Sequence, residues 1–213
     1  IQVPIYILTS FFTSTIVGLY ALPQKFLSLP IVLIGQTIGQ VFYQKAVEQV
    51  EDPSALAETT ISLFRFLFRI GVIPFSVILI FGDTIFGWLF GWEWHQSGVY
   101  AQMLSPWLLF VLAGSPISKL FTVLDKQRLG LFFNSILLTT RLLSLLVGAL
   151  LFNSPSIAIF AFALCSFAYW VFLAFYILHM VKIRITPIIL EVILTLTAVI
   201  IPMLLVRFFL LNS

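Results

Sequence analysis

Two cations buried in long apolar runs are the residues of this sequence best placed to do chemistry. Arg141 sits near the middle of the run 129–152, and Lys25 inside the run 17–44. An ionisable group at the centre of a membrane helix costs at least ~2.5–3.5 kcal/mol, so each needs a partner, water or a ligand. Asn134, Arg141 and Gly148 recur at seven-residue spacing and share one helical stripe, with Ser144 beside them. No Asp or Glu lies at mid-depth in any apolar run: Glu191 is near one end of its run and Asp83 near the end of another. Two readings of Arg141 follow. It lines a cationic cavity for an anionic ligand, the reading we favour, or it is a structural arginine bonded to backbone carbonyls.

Lys25 lies between Pro23 and Pro30, and prolines in a spanning helix free carbonyls that protein or water must satisfy. Gln24, Lys25, Ser28, Gly35, Gln36, Gly39 and Gln40 cover roughly one half of this helix. Such a face belongs either to a packed seam, with glycines for close approach, or to a water-filled cavity facing Lys25, which we favour. The candidate cavity residues are therefore Lys25, Arg141, Gln24, Gln36 and Asn134.

The other ionisable groups are more ordinary. Arg207 is close to the end of the last run and is expected to snorkel to the interface. Arg65 and Arg69, at i and i+4, mark a helix start where anionic headgroups are the expected neighbours. Asp83, Glu93 and His95 are the one conceivable acid–base set, and solvated interface residues are the blander reading. No metal-ligand spacing, no nucleophile with its base and no phosphate-binding loop is present, so neither an enzyme nor a bound cofactor is expected. Cys165 is the single cysteine, which excludes an intramolecular disulfide.

The elements that carry these residues are long and apolar. Hydrophobic residues make up 61% of the chain and charged residues 9%, with a mean hydropathy of +1.14. A soluble domain carries roughly 25% charged residues. The expectation is an all-α, polytopic transmembrane bundle with six complete spans, about 17–44, 62–82, 99–123, 129–152, 156–181 and 186–211. The run 1–12 is too short to cross and reads as a partial span, in keeping with a chain that opens on Ile-Gln-Val as a fragment would. The link 83–97, rich in Trp88, Trp92 and Trp94, reads as an interfacial, partly helical segment lying along the membrane surface.

Numbering the links alternately puts Lys45, Arg65, Arg69, Lys119, Lys126, Arg128, Lys182 and Arg184 on one side. The links 13–16, 83–97 and 153–155 hold no Lys or Arg. The positive-inside rule then places loops 46–60, 124–128 and 182–185 in the cytoplasm.

Two stretches resemble a known family. VGLYALPQKFLSLPIVLIGQTIGQVF (Val17 to Phe42) is similar to the opening of the second lobe of Wzx-type O-antigen and polysaccharide flippases, of the multidrug/oligosaccharidyl-lipid/polysaccharide exporter superfamily. LFGWEW (Leu89 to Trp94) with GVYAQMLSPW (Gly98 to Trp107) matches a second pattern of that family, and LDKQ (Leu124 to Gln127) a weaker third. The resemblance implies one C-terminal lobe of a two-lobe alternating-access transporter, its N-terminal lobe missing, in the bacterial inner membrane. It implies translocation of an undecaprenyl-pyrophosphate-linked oligosaccharide for polysaccharide or O-antigen biosynthesis. The partners would be the lipid-linked oligosaccharide, membrane lipids and the missing lobe, with no nucleic acid. The family usually has Arg where this chain has Lys25, which keeps the charge without bidentate phosphate recognition. Two competing classes are a cation-coupled exporter of small organic molecules, which would want mid-membrane carboxylates, and a membrane glycan polymerase or ligase, which would want a large polar outer loop.

Overall fold

The computed structural model describes the backbone of residues 3–212 and the side chains of 4–210 apart from Gln36. Helices and short turns make up this region, and no strand occurs among the described residues. The helices are α1 (Val3–Phe11), α2 (Ser14–Glu48), α3 (Pro53–Phe90), α4 (His95–Gly114), the single turn α5 (Leu120–Val123), α6 (Gln127–Leu150), α7 (Pro155–Met180) and α8 (Ile185–Asn212). Six of them are long and apolar enough to cross a membrane. Counted as crossings, α4 includes the short 3-10 turn Trp92–Trp94 before it. The chain is an all-α, multi-pass membrane protein. At nine residues, α1 reaches only ~14 Å by helical rise and cannot cross.

The links are shorter than the apolar runs imply, because helices continue into polar sequence when a cap supports them. The loop expected over 46–60 is a turn between Glu48 and Pro53. Asp52 caps α3, accepting from the backbone N–H groups of Ser54 and Ala55, with Pro53 at the first helical position. The Ser54 hydroxyl, ahead of the Ala55 N–H, holds the Asp52 carboxyl below its usual range. The interfacial segment expected to be partly helical over 83–97 is helix for most of its length. α3 runs on to Phe90, and only Gly91, at φ 100°, and the 3-10 turn separate it from α4. That backbone conformation suits glycine, so Gly91 is what makes so tight a reversal possible. Trp88 and Trp92 at this turn are 83% and 73% exposed, the side-chain type and position of an interfacial anchor.

The α3–α4 hairpin is the centre of the bundle. A Cβ added at Gly98 would collide with the Gly82 carbonyl and the Asp83 backbone, so the two helices touch through main chain there. Ser105 donates to the Phe75 carbonyl across the same seam. α2 and α7 pack on α4, α6 packs on α7, and α8 packs chiefly on α3. The buried cluster runs from Tyr20 through Phe64, Phe68, Leu104 and Trp107 to Phe162 and Ile177.

Two ionic latches fix α8 to α3. At one end Glu191 accepts from Arg65 Nε at 2.8 Å and Arg69 at 2.7 Å. At the other, Arg207 meets Asp83 at 2.7 Å and also donates to the Ile80 carbonyl. Gln102 Nε2 donates to Asp83 and Ile80 at 3.2 Å, and His95 Nε2 lies 4.0 Å from Asp83. The sequence separations of the latch bonds, 126 and 122 at one end and 124 and 127 at the other, are nearly constant. Constant separation means that α3 and α8 run parallel, in register. One expectation is corrected here: Arg207 does not snorkel past its surroundings but is held by a carboxylate. Arg65 and Arg69, expected among anionic headgroups, also share a protein carboxylate.

Two measurements check this packing. Gly98→Ala forces main chain apart and should cost about 1–3 kcal/mol, while Gly18→Ala, with open space around its Cβ, should be neutral or slightly stabilising. Thermal unfolding of the purified protein in one detergent compares them. For the Asp83–Arg207 latch, a double-mutant cycle on Asp83→Asn and Arg207→Gln should return a coupling of about 1–3 kcal/mol. Additive effects would mean that the pair contributes nothing to stability.

Candidate functional site

Arg141 lies ~21 Å by helical rise from the Gln127 end of α6 and ~14 Å from the Leu150 end, deep in the span. α6 presents it to α7 and α4. Its Nε donates to the Ser166 hydroxyl at 3.0 Å. Its guanidinium carbon lies 4.9 Å from the Trp107 ring centroid and 5.3 Å from that of Phe162. Trp107 and Phe162 meet edge to face at 5.3 Å, and Tyr20 of α2 closes on Phe162 at 6.5 Å. Two aromatic faces attract the cation electrostatically without neutralising it. Among the described residues no carboxylate pairs with Arg141.

Three groups around it carry a donor that makes no bond. Trp107 Nε1, Tyr20 Oη and Tyr169 Oη are buried without a hydrogen-bond partner, and both tyrosines lie within electrostatic range of the guanidinium. A buried donor left unmade costs about 1–3 kcal/mol. A guanidinium beside several unmet donors is an environment that one acceptor-rich anion would satisfy. Beside Arg141 is a cavity of about 200 Å³ lined by Pro4, Trp107, Asn134, Leu137, Leu138 and Phe162. Asn134 also lines a second, more polar cleft of about 340 Å³ between α5, α6 and α7, which includes Lys119, Gln127 and Tyr169. The two adjoin through Asn134. Beyond Arg141, α6 and α7 close completely: a Cβ at Gly148 would strike the Ala158 main chain.

The sequence-predicted residues are thus only partly assembled. Arg141 and Asn134 share a cavity, but Gly148, on the same stripe, is a helix-packing residue. Lys25 does not line this cavity. It is exposed on α2, and its ammonium has no partner among the described residues. The half-helix of polar residues expected on α2 is not one surface. Gln24 is 5% exposed, on the core stripe with Tyr20, Leu27 and Ile31. Gly35 and Gly39 face Ser115 and Pro116 at the end of α4, whereas Lys25 and Gln40 point outward. The side chain of Gln36 lies outside the described residues.

Sequence reasoning missed Trp107, Tyr20, Phe162, Ser166 and Tyr169. A signal was present for the last three, since 162, 166 and 169 are spaced i, i+4, i+7 and form one stripe of α7 that carries a Ser and a Tyr at the middle of an apolar span. Among the described residues no cluster of His, Cys, Asp or Glu could hold a metal ion. No family model matches the chain, and no characterised protein or solved structure matches it either.

The site makes a thermodynamic prediction. A half-buried charge without a counter-charge has its desolvation only partly offset, so Arg141→Met should keep or raise the melting temperature in detergent. A fall matching about 3 kcal/mol or more would make Arg141 a structural residue.

Proposed function

We propose that this chain is one lobe of a transporter that moves a phosphate-bearing, lipid-linked oligosaccharide across a bacterial inner membrane by alternating access. One observation carries the reading: a mid-depth arginine held by rings and a hydroxyl, beside unmet donors and a cavity, with no carboxylate to neutralise it. A pyrophosphate offers the charge and the acceptor oxygens this environment lacks. The resemblance of Val17–Phe42 and Leu89–Trp107 to polysaccharide flippases supplies the substrate class. On this reading Lys25, exposed and unpaired on α2, faces the second lobe and adds a point charge to the shared cavity. The loops 46–60, 124–128 and 182–185 are cytoplasmic, a reading supported by the Lys and Arg within the last two and by Lys45, Arg65 and Arg69 at the helix ends that flank the first.

A cation-coupled exporter is less well supported, because the carboxylates nearest the membrane interior, Asp83 and Glu191, are already held by arginines.

The test is export in cells that carry the whole transporter. Arg141→Met, at near-normal abundance, should reduce surface glycan at least ~10-fold, about 1.4 kcal/mol or more in transition-state terms. Lipid-linked glycan should then build up on the cytoplasmic leaflet. Lys25→Ala should behave likewise, and Lys25→Arg should export. Surface glycan that merely follows protein abundance in Arg141→Met would overturn the proposal.

A further inference from the structure

A second arginine site lies at the other edge of the bundle. Arg65 and Arg69 are one helical turn apart on α3, and with Ser62, Phe66 and Ile70 they line a groove of about 410 Å³. Each arginine gives one bond to Glu191: Arg65 through Nε and Arg69 through a terminal nitrogen. A guanidinium has five N–H donors, so most of the donor capacity of the pair is unspent among the described residues. Two cations on one carboxylate leave a net positive charge. The arginine side chains are 41% and 65% exposed, accessible to a ligand from outside the bundle.

Depth identifies what that ligand is. Arg65 lies ~27 Å by helical rise from Asp83 along α3, and Glu191 ~24 Å from Arg207 along α8. The hydrocarbon core of a bilayer is about 30 Å thick. The two latches therefore stand near its two edges, with Arg65 at one edge and Arg69 one helical turn inside it, from where its long side chain can reach the headgroups. Phe66, Ile70 and Ile73, spaced i, i+4, i+7 from the groove towards the membrane interior, are 53%, 48% and 57% exposed. This places a cationic, donor-rich pocket directly above an apolar ridge, the arrangement of a phosphate on its acyl chain.

We infer that the groove of Arg65, Arg69 and Ser62 binds the phosphate of an anionic phospholipid whose acyl chain lies along Phe66, Ile70 and Ile73. Glu191 competes with that phosphate for the same two guanidinium groups, so the lipid and the α3–α8 latch are linked. The site does not depend on the transport reading and lies away from the Arg141 cavity.

Intact-complex mass spectrometry of the purified protein, titrated with phosphatidylglycerol, phosphatidylcholine or inorganic phosphate, tests it. The wild type should retain phosphatidylglycerol at least ~10-fold more tightly than phosphatidylcholine, and more tightly than inorganic phosphate. Arg69→Gln keeps the Arg65–Glu191 bond and hence the latch, and should weaken phosphatidylglycerol binding about 10-fold. Glu191→Gln removes the competitor and should bind it at least as tightly as the wild type. Lys126→Gln, an exposed cation outside the groove, should change nothing. Undiminished binding in Arg69→Gln, or an equal loss in Lys126→Gln, would overturn the site. Equal affinity for inorganic phosphate would overturn the lipid assignment.

Discussion

A charge inside hydrocarbon must be neutralised, hydrated or carried to an edge, and this constraint shapes the whole bundle. α3 and α8 meet it together. Their ion pairs stand ~24–27 Å apart, one near each face of a core about 30 Å thick, so the lipid between them meets almost only apolar side chains. The same pairs fix the register of α8, an otherwise lipid-facing helix with little of its surface buried. Two helices that run parallel in one bundle must have an odd number of crossings between them. The latches thus require α4, α6 and α7 to bring the chain back an odd number of times, as the three crossings do. The α3–α4 hairpin depends on this frame in turn, because Asp83 stands beside the Gly82–Gly98 contact and also accepts a hydrogen bond from Gln102 of α4.

Long apolar runs were enough to read the helices, because a span of about 20 residues leaves a continuous trace in the sequence. Pairing leaves none. Arg65 and Arg69 are visibly on one face, but Glu191 lies 122 and 126 residues away and nothing local points to it. Arg207 looked like a snorkelling residue for the same reason: Asp83 is 124 residues distant. The aromatic link was legible only in part. Trp88, Leu89 and Phe90 are compatible with helix as well as with a surface segment, and a single glycine at φ 100° does the work of a loop. For Arg141, the missing acidic partner was legible because it is a fact about the whole sequence. Which neighbours it meets was not, since Trp107, Phe162 and Tyr20 come from three other helices and even the α7 stripe of 162, 166 and 169 does not say what it faces.

Arg141 stands out against the rule that the latches obey. Asp83 and Glu191 show that this chain can place a carboxylate against an arginine, and at the position deepest in the bundle it does not. Rings and a hydroxyl hold the guanidinium in place instead, and neither removes its charge. The packing also sets how an anion could reach it. On the Leu150 side α6 and α7 are in main-chain contact at Gly148 and Ala158, leaving no room for even a methyl group. On the Gln127 side the two helices part around a cleft that carries Lys119, Gln127 and Asn134 and adjoins the Arg141 cavity. Access in this conformation is therefore one-sided, from the end where the Lys- and Arg-bearing links lie. The charge that the sequence leaves unpaired is thus open towards one end of the span and closed off by packed main chain towards the other.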